Sequence, residues 1–181
     1  YKLTVLSKDN TTQYSTVSGT IADGSKANAS QYKGAFQDNL RKLLAENDSL
    51  TWLFMGDSIT HAAAHTHGYD GIAQIFEKYI KEDLARTDDL VINTAVSGAT
   101  CERTLQNIEQ RMGKYKADIV SVMLGTNDTV SSDVYASQLR EIVSAIKESN
   151  PDAMIVFRTP TPAKNPTYAG RPPKVAEQMK A

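Results

Sequence analysis

Thr51-Trp52-Leu53-Phe54-Met55-Gly56-Asp57-Ser58 is the stretch on which the fold of this chain turns. Thr51–Met55 is a short apolar run with turn formers on either side, Asn47-Asp48 before it and Gly56-Asp57 after it. A run of that length without alternation reads as a strand buried on both faces. Upstream, Phe36, Leu40, Leu43 and Leu44 recur at the spacing of an amphipathic helix. Downstream, Tyr69, Ile72, Phe76, Tyr79 and Ile80 form a second helical stripe, and Leu90-Val91-Ile92 a second buried strand. The alternation continues with a helix near Glu102–Met112 and a strand at Ile119–Leu124. A helix carrying Tyr135, Leu139, Ile142, Val143 and Ile146 comes next, Pro151 stops it, and Met154–Phe157 is the fourth strand. A proline-rich loop, Thr159–Pro173, and a short final helix close the pattern. Trp52 and the Tyr and Phe positions of the stripes are expected in the core. Buried strands alternating with helices imply right-handed βαβ units on a parallel sheet. The expected class is therefore α/β, a three-layer flavodoxin-like sandwich with strand order 2-1-3-4.

The residues from Tyr1 to Gly34 differ in texture, being rich in Ser, Thr and Asn and only weakly alternating. They read as a polar β segment or linker, which sets the expected organisation as 1–34 and then a single domain over 35–181. The 181-residue chain is 40% hydrophobic and 23% charged, enough for one core. Its net charge of −1 and lack of any Lys/Arg run offer no field for nucleic acid or an anionic membrane. No stretch approaches the length of a membrane span, and the N-terminus lacks the form of a signal peptide. Cys101 is the single cysteine, so no intrachain disulfide forms, and cytoplasmic and secreted or cell-surface locations both stay open.

In a parallel α/β sheet, ligands sit beyond the carboxyl ends of the strands. Function is therefore sought in the segments directly after the strands. Gly56-Asp57-Ser58-Ile59-Thr60 lies after the first, Asn93-Thr94-Ala95-Val96-Ser97-Gly98 after the second, and Gly125-Thr126-Asn127-Asp128 after the third. These are the parts of an acyl-transfer site. Ser58 offers a hydroxyl and a backbone N–H at the sheet edge. Gly98 leaves a backbone N–H unobstructed, and the Asn127 amide offers a further donor for a developing oxyanion. The donors and the hydroxyl converge if the strand order is 2-1-3.

Gly56-Asp57-Ser58, Gly98 in its Val-Ser-Gly context and Gly125-Thr126-Asn127-Asp128 resemble the first three blocks of the SGNH/GDSL hydrolase family, in order and spacing. The resemblance covers residues 50 to 181. It implies an SGNH hydrolase fold and ester hydrolysis, with Ser58 as nucleophile and the Ser58 N–H, Gly98 N–H and Asn127 side chain as oxyanion hole. No cofactor is implied. Its substrates would be small-molecule or carbohydrate esters, and the polar loop Thr159–Pro173 suits a sugar ester better than a long acyl chain.

The family's fourth block, Asp-x-x-His, is absent from these residues. The sheet is therefore expected to be incomplete at its C-terminus, with the base and its carboxylate supplied by a downstream segment or a partner chain. The 181 residues alone are expected to be poorly active and poorly stable. The three histidines are His61, His65 and His67. His61 lies one helical turn past Ser58, an awkward approach for a base, and reads as a cleft-wall residue in contact with substrate. The i, i+4 pair His61 and His65 lacks the acidic partner of a metal site. Asp57 and Asp128 stand at the same edge, as substrate contacts or, more in keeping with carboxylates beside such turns, as braces of backbone N–H groups. Cys101 reads as a small buried residue. The competing functional class is a non-catalytic carbohydrate-binding or scaffolding module that retains the cleft without a base.

Overall fold

The computed structural model of the chain describes residues 2–6, 13–18, 35–64, 66–161 and 167. His65, the loop beyond Thr161 apart from Thr167, and the expected final helix lie outside them. The chain separates into two compact units, Tyr1–Glu46 and Asn47–Ala181. In the first, strands β1 (Lys2–Leu6) and β2 (Gln13–Ser18) pair antiparallel, and helix α1 spans Ala35–Glu46. The division thus falls after α1 rather than before it, where the change of sequence texture placed it.

The second unit opens with the central strand, β3 (Thr51–Gly56). Strands β4 (Leu90–Asn93), β5 (Ile119–Met123) and β6 (Met154–Phe157) complete a four-stranded sheet in the order β4-β3-β5-β6. Every pairing in it is parallel. This is the expected 2-1-3-4 arrangement. The connections carry α2 (Ser58–His61), α3 (Ile72–Glu82), α4 (Cys101–Gln106) and α5 (Ser132–Ser149). The stripe near 102–112 does not run as one helix: α4 stops at Asn107, whose side chain donates to Arg103 O, and a π-helical turn succeeds it at Glu109–Gly113. Among the described residues no helix is long and apolar enough to cross a membrane.

One face of the sheet presents Leu53, Met55, Val120 and Val122 to α5, where Tyr135, Leu139, Ile142 and Ile146 meet them in the main core. On the other face, Trp52 and Phe54 pack against Phe76 of α3, with ring centroids 4.8 and 5.3 Å apart. Two sequence expectations change here. Tyr69 and Tyr79 are 66% and 50% exposed rather than core, because Gly71 caps α3 after Tyr69 and the buried stripe runs through Ala73 and Ile80. Leu90 is also exposed, since β4 is the sheet's edge strand and pairs on one side.

The start of β3 is held by two carboxylates. Asp118 Oδ2 accepts from Thr51 N at 2.8 Å. Asp89, fully enclosed, accepts from Leu50 N at 3.0 Å, Trp52 Nε1 at 2.7 Å and Arg86 Nε at 2.8 Å. Burial alone would push the Asp89 carboxyl up; the hydrogen bonds from Arg86, Trp52 and Leu50 outweigh it and leave it below the usual value. Removing the acceptor takes away the Arg86 Nε bond and leaves the Leu50 and Trp52 N–H donors without theirs, so Asp89→Ala should cost about 3 kcal/mol in urea denaturation at neutral pH. A carboxyl depressed in the folded state stabilises above its unfolded pKa, near 3.9, and that contribution is lost as pH falls through the folded value. The gap between wild type and variant should hold from neutral pH to about pH 4 and shrink below it.

Candidate active site

The carboxyl edge of the sheet is a set of loops stitched to one another. β3 ends at Gly56, where the chain must turn sharply. A Cβ at Gly56 would lie 2.7 Å from the Met123 carbonyl oxygen and 2.6 Å from Thr60 Oγ1, so the close approach of β3, β5 and α2 admits only glycine. Asp57 caps the short helix α2: its Oδ1 accepts from Ile59 N at 2.9 Å. The cap places Ser58 at the first helical position and exposed, while Asp57 and Thr60 are wholly buried.

The loop after β4 closes on this turn. Val96 N donates to Gly56 O at 3.0 Å, and Asn93 Nδ2 donates to Thr60 O at 2.9 Å. His61 Nδ1 lies 3.1 Å from Ser97 Oγ, within hydrogen-bonding distance. Gly98 comes next with φ +74°, a conformation that strains any residue with a Cβ. Space is not its constraint, since a Cβ there would meet only Arg103 Nη1, at 3.9 Å. The loop after β5 reaches over both neighbours. Asn127 Nδ2 donates to Ala99 O at 3.1 Å. Asp128 accepts from Cys101 N at 2.9 Å and Gly125 N at 3.0 Å. Burial pushes the Asp128 carboxyl up, hydrogen bonds from Cys101 and Gly125 oppose the rise, and the Asp57 charge adds to it.

Ser58, Gly98 and Asn127 therefore sit on three mutually bonded loops at one edge, on β3 and its two immediate neighbours. Asp57 and Asp128 are brought there as braces: their carboxylates bind backbone N–H groups and, in Asp57, are shut away from solvent. The geometry leaves no place for Asp57 as a substrate contact. Cys101 is fully buried, and burial pushes its thiol up, which removes it as a nucleophile. Among the described residues no imidazole is hydrogen-bonded to Ser58; His61 faces Ser97, and His67 lies in a turn with φ +51°.

Ser58 also lines an open groove of about 410 Å³, shared with Ile59, Ala62, Thr66, Tyr69, Asp70 and Gly71. Tyr69 and Asp70 went unrecognised in the sequence as groove residues because Tyr69 continues the apolar spacing of α3. The signal that separates them is Gly71, which starts the helix two residues later. Arg158, just beyond β6, was equally unmarked. It donates to Ser121 Oγ at 2.7 Å and to Thr60 Oγ1 at 3.1 Å.

The model of the GDSL-like lipase/acylhydrolase family matches residues 54–181, the stretch that carries all three loops. The chain belongs to that family. An uncharacterized protein of Mycoplasma pneumoniae is 31% identical over 128 residues, 66% of this chain, and the chain spans about 14% of that protein's length. Among solved structures, an acetylxylan esterase from Geobacillus stearothermophilus is similar at 22% identity and a TM-score of 0.56, covering 72% of this chain and 70% of its own. An alpha/beta hydrolase enzyme from the metagenome of Lake Arreo is similar at 18% identity and a TM-score of 0.58, covering 72% and 71%. At these identities the likeness establishes the SGNH hydrolase fold of the GDSL-like chain.

The two glycines of this edge are constrained for different reasons and should respond differently. Gly56→Ala forces a methyl into a backbone carbonyl and should cost about 2–3 kcal/mol in chemical denaturation. Gly98→Ala meets open space and should cost only the left-handed backbone, roughly 1 kcal/mol.

Proposed function

We propose that this chain is the nucleophile-bearing part of a serine ester hydrolase, with Ser58 attacking the acyl carbonyl. The observation that carries the reading is the exposed Ser58 at the first position of a capped helical turn, flanked by the Gly98 and Asn127 loops. In the mechanism, the Ser58 oxygen adds to the ester carbonyl and the negative charge moves to the carbonyl oxygen. That oxyanion is received by the Ser58 N–H, the Gly98 N–H and the Asn127 amide. Collapse expels the alcohol, and water then releases the acyl group from Ser58. Asn127 has two amide hydrogens; one is given to Ala99 O, which holds the side chain at the edge and leaves the other for the oxyanion.

The base that takes the Ser58 proton is proposed to come from outside the described residues, from a downstream segment or a partner chain. His61 is engaged with Ser97 instead. Carbohydrate esters, acetylated ones first, are the proposed substrates. The groove beside Ser58 supports this with an exposed Tyr69 ring, a surface on which a sugar can stack, and the Asp70 carboxylate next to it. The engagement of His61 with Ser97 also gives weight to a second reading, a carbohydrate-binding module that keeps the groove without turnover.

A serine-directed phosphonate separates the two. In the first reading Ser58 is labelled in the enzyme complete with its base, and there Ser58→Ala abolishes labelling and lowers kcat by on the order of 10⁴. Retained labelling in that variant overturns the assignment of the nucleophile. Asn127→Ala should lower kcat by roughly 10² to 10³ with KM little changed, because the donated bond strengthens as the oxyanion forms. Binding of an acetylated oligosaccharide in calorimetry, with neither labelling nor turnover, would favour the module.

A further inference from the structure

Asp57 poses an electrostatic problem that its own loop does not solve. It is wholly buried, Oδ1 accepts from Ile59 N, and Oδ2 has no hydrogen-bond partner among the described residues. An isolated buried carboxylate costs several kcal/mol unless a counter-charge offsets it. The charged or titratable groups in its field on the neighbouring elements are Asp128 from the loop after β5, Tyr135 of α5 and Arg158 after β6. Of these, Asp128 adds a like charge when ionised, while Tyr135 is neutral, its hydroxyl pushed up by burial and given to Leu124 O. Arg158 is the cation of the set.

Arg158 is held tightly for a residue beyond the last strand. Its backbone N–H donates to Val122 O at 2.8 Å, and its side chain turns back along the sheet. Nε donates to Ser121 Oγ, Nη2 donates to Thr60 Oγ1, and the guanidinium carbon stands 5.5 Å from the centre of the Phe54 ring. No carboxylate forms an ion pair with it among the described residues. Thr60 is the link: it is buried, and it lies on α2 two residues after Ser58.

We propose that Arg158 is a positioning residue for Ser58, its guanidinium, anchored on Ser121 Oγ and donating to Thr60 Oγ1, fixing the turn that presents the Ser58 hydroxyl. The inference rests on Ser58 as nucleophile. Arg158 touches neither substrate nor reacting atoms; it acts by holding α2 in register with β5 and β6. Burial lowers the guanidinium's own pKa and the Asp57 charge opposes the fall, as expected of two opposite charges in one field.

The test uses, in the enzyme complete with its base, Arg158→Met, which removes the charge at similar length, and Arg158→Lys, which keeps the charge and loses the paired donation to Ser121 and Thr60. Arg158→Met should lower kcat on an acetyl ester, and the rate of Ser58 phosphonylation, by roughly ten- to a hundredfold, with KM within about twofold. Arg158→Lys, which cannot make both donations, should stay reduced in the same two rates. Unchanged kcat and phosphonylation rate in Arg158→Met, or in Arg158→Ala if the Met variant does not fold, overturns the proposal. Turnover lost in Ser58→Ala but unaffected in Arg158→Met overturns this proposal alone. Turnover that survives Ser58→Ala overturns the nucleophile reading beneath it.

Discussion

Backbone N–H groups at the carboxyl edge of a parallel sheet have lost the ladder that satisfied them inside it, and the organisation of this edge results from how that loss is repaired. Asp57 takes the N–H of Ile59, Asp128 takes those of Cys101 and Gly125, and the Asn93 side chain takes that of Ala95. Each repair also ties one loop to itself or to a neighbour. The residues that look like chemistry in Gly-Asp-Ser and Gly-Thr-Asn-Asp thus include two carboxylates whose structural task is to receive backbone hydrogens. The exposed serine and the half-buried amide of Asn127, tied to Ala99 O, are left over from that task.

Much of the fold was legible because the signals are local. Thr51–Met55 reads as a central strand since it is buried on both faces and paired on both sides, and a continuous apolar run is what such a place demands. The three strand-end blocks were legible for the same reason, since each lies immediately after an apolar run, and their convergence required only the order β4-β3-β5. The exposure that an edge position brings was not legible in the residues of the strand itself. Leu90-Val91-Ile92 has the same apolar texture as the inner strands, yet β4 pairs on one side and leaves Leu90 in solvent.

Long-range side-chain hydrogen bonds escaped the sequence. Asp89 meets Trp52 across 37 positions, and Arg158 meets Thr60 across 98, with no periodicity to announce either. Tyr69 illustrates a subtler failure, in which correct spacing belonged to the wrong element. It falls in phase with Ile72 and Phe76, but Gly71 starts the helix after it and leaves the ring on the groove beside Ser58. A helical stripe identifies a face only over the residues that are helical.

The tether on Asn127 bears on how an oxyanion hole at this edge would work. A free Asn side chain loses on the order of 0.5–1.5 kcal/mol of rotamer entropy when a ligand immobilises it. Here one amide N–H is already given to Ala99 O, so that cost falls on folding rather than on the reaction. The same bond ties the β5 loop to the residue after Gly98, and Asp128 adds a second tie at Cys101. The Gly98 N–H and the Asn127 amide therefore belong to one bonded unit, and the β3 turn joins it through Val96 N and Gly56 O. Donors held this way do not reorganise as charge develops, which is the condition under which hydrogen bonds favour a transition state over the ground state.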